Sequence, residues 1–131
     1  MRGIILSVLF LGSCLGYSAE PIRIGVYSHS TNSTKAAQIV GIFTNILPQE
    51  KGFLIERVDP AGIRSGVLTN LNVLIMPGGS GSKQATNLET SGREAIQQFV
   101  KNGGGYVGVC AGAYLASSHY SWSLSISSTR R

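Results

Sequence analysis

The run Val73-Leu74-Ile75-Met76 carries no polar side chain and passes directly into Pro77-Gly78-Gly79. Four apolar residues in succession, halted by a proline and two glycines, fit a strand buried on both faces. A strand of that kind belongs to a mostly parallel sheet covered by helices on either side. The remainder of the chain must then supply parallel neighbours and amphipathic crossovers. Its 131 residues suffice for one such domain.

Those parts can be read along the sequence. Ile22 to Tyr27 forms a short strand, followed by polar Ser28 to Ser33. From Lys35 to Leu47, apolar residues at Ala36, Ile39, Val40, Phe43, Ile46 and Leu47 lie on one helical face. Asn32 or Ser33 can cap this helix, and Pro48 ends it. Phe53 to Val58 is a second strand, and Asp59 to Asn70 connects it to the third. A polar loop is expected over residues 80–90. Ser91-Gly92-Arg93-Glu94 has the form of a capping box, with Ile96, Phe99 and Val100 on the face of the helix it starts. Gly103-Gly104-Gly105 stops that helix, and Tyr106 to Val109 is the fourth strand, leading into Cys110. The order β-α-β-β-α-β gives an α/β, flavodoxin-like sheet with helices on both faces. Ligands gather at the carboxyl ends of strands in such sheets. Residues 28–33, 77–82 and 110–112 fall there.

Both termini have distinct patterns. Arg2, the apolar stretch Ile4 to Leu11, and the small residues Gly12, Ser13, Gly16, Ser18 and Ala19 make residues 1–19 a signal peptide. The apolar stretch is too short to span a bilayer. The expected product is exported, periplasmic or secreted, with residues 20–131 as its domain. Leu11-Gly12-Ser13-Cys14 also resembles a lipobox, which would anchor the chain through acylated Cys14. Removing the leader takes Arg2 and lowers the net charge from +5 to +4. The remaining basic residues are scattered and do not alternate with aromatics, so no nucleic-acid partner is expected. At the other end, Tyr120, Trp122, Leu124 and Ile126 alternate with serines, which reads as a strand with one apolar face and no partner.

With Cys14 in the leader, Cys110 is the one thiol of the domain. An unpaired cysteine in an exported protein is either functional or buried. Gly108-Val109-Cys110-Ala111-Gly112 has the small flanking residues that a sharp strand-to-helix nucleophile elbow demands. In that geometry the Ala111 N–H faces an incoming carbonyl oxygen. Pro77-Gly78-Gly79, at the neighbouring strand end, can bring a second backbone N–H to complete an oxyanion hole. Gly78, Ser80 and His29 are further ligand-binding candidates at the strand ends. No CxxC or HExxH pattern is present, so no metal is expected. A P-loop is absent as well, and no cofactor is expected.

Met76-Pro77-Gly78-Gly79 followed by Gly108-Val109-Cys110-Ala111-Gly112 resembles the class I glutamine amidotransferase-like superfamily. The stretch from Gly103 through Cys110 to Ala116 is similar to one branch of it, the domain at the N-terminus of eukaryotic biotin–protein ligases, which also occurs alone in bacteria. The resemblance implies a flavodoxin-like fold and a Cys–His–Glu or related triad. Cys110 matches the nucleophile, and Gly79 and Ala111 match the oxyanion positions. The His and acidic partner usually follow well downstream, and His119, nine residues after Cys110, is not at the family position. Biotin ligation belongs to a different domain and is not implied. Three functions remain open: a cysteine hydrolase or amidotransferase-like enzyme acting on an amide, a non-catalytic module binding a small polar ligand, and an inactive chain truncated at its C-terminus.

Overall fold

Parallel pairing of short apolar strands organises the computed structural model, which describes residues 19–29, 33–46 and 52–127. Strand β1 (Ile22–Tyr27) is followed by helix α1 (Ser33–Ile46), β2 (Phe53–Val58), the short α2 (Pro60–Arg64) and a 3-10 turn at Val67–Asn70. Then come β3 (Val73–Met76), the long α3 (Gly81–Lys101), β4 (Gly105–Gly108) and α4 (Ala111–Ala116). The four strands run parallel in the order β2-β1-β3-β4. The flavodoxin-like arrangement read from the sequence is the one observed. Residues 1–18 of the expected leader, Cys14 among them, lie outside the described residues, as do the Asn32 cap and Pro48.

Alternation along the strands sends side chains to two cores. Tyr27, Leu74 and Met76 join Ile63, Leu88, Ile96 and Leu115 in the larger one, under α2, α3 and α4. Ile24, Val26 and Ile75 form the smaller one, against Ile39 and Val40 of α1. The central run at β3 is thus buried from both sides, as its composition requires. Ile46, on the expected apolar face of α1, is exposed at the helix's last residue. Val107 and Val109 are also exposed, beside the free edge of the sheet. Among the described residues no helix is long and apolar enough to cross a membrane.

Two expectations are corrected. Residues 81–90, read as a loop, belong to α3, which starts at Gly81 with Ser80 as its cap. The buried stripe of this first half is Gly81, Gln84, Ala85 and Leu88. Only one of the four is a large apolar residue, so the helical period was hidden. Gln84 enters the core with its Nε2 donating to the Pro77 carbonyl at 2.7 Å, while its Oε1 accepts no hydrogen bond among the described residues. The helix breaks at Glu89 (φ 59°, ψ −177°), just before the capping-box segment at Ser91. Beside the break, Arg64 Nη1 donates to the Asn87 carbonyl and Arg93 Nε to that of Glu89.

The second correction concerns the tail. Residues 120–126 form no strand. Instead, the backbone N–H groups of Leu124, Ser125 and Ile126 donate to the carbonyls of Leu115, Ser117 and Ala116 at the end of α4. Leu124 inserts into the larger core, with Trp122 and Ile126 packed beside it. The apolar face of the tail therefore has its partner within the domain.

Candidate functional site

The pairing of β3 with β4 sets Met76 beside Gly108, and the Val109 N–H donates to the Met76 carbonyl at 2.9 Å. The Pro77–Ser80 turn and the Cys110–Gly112 turn consequently emerge side by side at the carboxyl edge of the sheet. Cys110 is exposed and adopts φ 51°, ψ −108°, in the region that disfavours any residue with a Cβ. Its flanking glycines allow the turn to close. A Cβ on Gly108 would lie 2.7 Å from the Ala113 nitrogen and the Gly112 carbonyl. One on Gly112 would overlap the Met76 carbonyl oxygen. The Gly-x-Cys-x-Gly spacing is thus a steric requirement of this backbone path.

Neighbouring groups hold the two turns. The Tyr106 hydroxyl donates to the Gly112 carbonyl at 2.6 Å, and Gln84 holds Pro77 from below. Neither residue is legible as part of the site in the sequence, since Tyr106 reads as an ordinary strand residue and Gln84 as loop. Gly79, at φ 134°, turns the chain between buried Gly78 and the helix cap at Ser80. Among the described residues neither the Gly79 N–H nor the Ala111 N–H donates a hydrogen bond. Ser80 is occupied locally, accepting from the Lys83 N–H and touching the Ser82 hydroxyl.

The histidines lie elsewhere. His29, after β1, has its Nδ1 3.1 Å from the Asn87 side-chain nitrogen. It lines a cavity of about 600 Å³ with Asp59, Arg64, Asn87 and Glu89, and Cys110 is not among its walls. His119 follows α4 and meets Tyr120 edge-on at 4.7 Å; Tyr120 stacks on Trp122. Of the residues singled out from the sequence, Gly78, Gly79, Ser80, Cys110 and Ala111 share one edge of the sheet, and His29 faces a different space.

Burial pushes the Tyr106 phenol well above its ordinary value of 10.0, and burial also raises Tyr27. An unfolded chain ionises these phenols first, so their contribution to stability is complete below pH 10.0 and declines as pH rises further. Urea unfolding across the alkaline range should show that decline, and Tyr106→Phe should reduce it to the share that Tyr27 contributes. The same change removes the bond to Gly112, at a cost of about 1 kcal/mol near neutrality.

A family model described as "Biotin-protein ligase, N terminal" matches residues 23–129. An uncharacterized protein of Chlamydia muridarum (strain MoPn / Nigg) is 38% identical over 50 residues, which make up 38% of this chain and 19% of that one. The crystal structure of a protein described as thua-like, from Bacteroides uniformis ATCC 8492, is similar with a TM-score of 0.53 and 25% identity. That similarity covers 85% of this chain and 45% of the Bacteroides chain, so the present chain spans less than half the length of either relative.

Proposed function

The chain belongs to the family of biotin–protein ligase N-terminal domains, and on that premise we propose an exported, amidotransferase-like domain whose Cys110 attacks an amide or related acyl carbon. The observation that carries this reading is the conformation of Cys110. A non-glycine residue held at positive φ, exposed, between two glycines that admit no Cβ, is what a nucleophile elbow needs. The sulfur would bond to the carbonyl carbon as the C=O electron pair moves to oxygen. The unpaired N–H groups of Gly79 and Ala111 would receive that oxyanion. Collapse of the tetrahedral intermediate would then break the C–N bond and expel the amine with a proton, leaving a thioester. A general base is still required. His29 is bonded to Asn87 and His119 packs on Tyr120, so the proposal assigns that role to neither.

The position of the histidines favours a second reading, a binding module that keeps the two turns and performs no chemistry. Thiol reactivity separates the two. In the folded chain at neutral pH, iodoacetamide should alkylate Cys110 several-fold faster than in urea, with Cys110→Ser as the control for Cys14. Labelling that is slower in the folded chain than in urea would remove the nucleophile and leave the binding module.

A further inference from the structure

The cavity beside His29 has features that the Cys110 chemistry does not use. Its walls come from the end of β1, the start of α2 and the middle of α3. Arg64 lines it together with two carboxylates, those of Asp59 and Glu89. Its side chain is 28% exposed, and its Nη1 both donates to the Asn87 carbonyl at 2.6 Å and faces Glu89 Oε1 at 3.4 Å. Nη2 makes no hydrogen bond among the described residues, which leaves one edge of the guanidinium for a planar two-oxygen acceptor. Asp59 uses Oδ1 to accept the Gly62 N–H, and its other oxygen accepts no hydrogen bond among the described residues. Glu89 is 65% exposed, and among the described residues its carboxylate meets Arg64 at 3.4 Å.

A further feature lies beneath these groups. Tyr27 is fully buried, with the Asn87 side chain as the hydrogen-bonding neighbour of its hydroxyl. Its polar and charged neighbours are Asn87, Arg64 and Asp59, all walls of this cavity.

The charges decide the class of ligand. A lone carboxylate bound at Arg64 would face two carboxylates. A lone ammonium bound between Asp59 and Glu89 would face the guanidinium. A molecule with both groups satisfies both sets. We propose that this cavity binds a small zwitterion, its carboxylate on the open edge of Arg64 and its ammonium on Asp59 and Glu89. The site is independent of Cys110.

Calorimetric titration of the full chain tests this with glycine, β-alanine and 4-aminobutanoate, which separate the two charges progressively. Butanoate and butylamine serve as single-charge controls. At least one zwitterion should bind about tenfold more tightly than either control. Asp59→Asn keeps a good helix cap and removes one charge, and it should weaken zwitterion binding while leaving the fold intact. Arg64→Gln should abolish it, and Cys110→Ser should leave it unchanged. Equal binding of butanoate or butylamine, no binding of any zwitterion at millimolar concentration, or retention of full affinity in Asp59→Asn would each overturn the proposal. Loss of binding in Cys110→Ser would place the ligand at the other turn and overturn it as well.

Discussion

Gly112→Ala is expected to unfold the domain or lower its stability by on the order of 4 kcal/mol or more, the range reached only by a few identifiable mechanisms. The mechanism here is backbone overlap. The new methyl would overlap the Met76 carbonyl oxygen and sit 2.8 Å from the Met76 carbonyl carbon. Neither is the far end of a flexible side chain, so relief requires β3 and α4 to separate. Separation would break the Val109-to-Met76 hydrogen bond and withdraw Leu115 from the core. A domain of this size has about 5–15 kcal/mol in total, so the change removes a large share of it. Gly41→Ala, in α1, is the contrasting substitution. A Cβ there meets nothing within 4 Å. Replacing a helical glycine by alanine should stabilise the chain by about 0.5–1 kcal/mol. Urea midpoints of the two variants should move in opposite directions from the parent.

The pairing of Gly108 and Gly112 around Cys110 is legible as a spacing, and Gly108 has a local cause in the Ala113 nitrogen and Gly112 carbonyl, whereas Gly112 answers to the Met76 carbonyl of the neighbouring strand. The β3 run was legible because full burial on two faces excludes polar residues. The first half of α3 was not. Its buried stripe combines Gly81, Gln84 and Ala85, and its reason is the Pro77 carbonyl that Gln84 meets, a contact invisible without the fold. His29 could be placed at a strand end from element order alone. Its turn toward Asn87 rather than toward Cys110 depends on where the middle of α3 passes. Tyr106 reached the site through a hydroxyl at the far end of a strand side chain, which no periodicity reports.

The tail gives the other large effect. Period-two alternation was read as a strand awaiting a partner, and that reading predicts that Leu124→Ala changes little. The structure predicts otherwise. Leu124 is 1% exposed and belongs to the same core as Leu115, Leu88 and Ile96. Truncating it should cost about 2–5 kcal/mol, the transfer of the lost methyls plus the cavity they leave. Ile46→Ala, at a residue 66% exposed, should stay within about 0.5 kcal/mol. The position is also fixed through its backbone, whose N–H donates to Leu115 and whose carbonyl accepts from Gln97 Nε2 at 2.8 Å. Gln97→Ala should therefore cost about 1 kcal/mol even though Leu124 keeps its side chain. A strand awaiting a partner and a docked segment share the same alternation of apolar and polar residues, and what separates them is where the backbone hydrogen bonds go. Here they go to the last carbonyls of α4, groups that every helix leaves open. Chemical denaturation of Leu124→Ala and of Gln97→Ala, in α3, against Ile46→Ala reads that difference directly. A Leu124→Ala midpoint equal to that of the parent would mean the tail is not docked in solution.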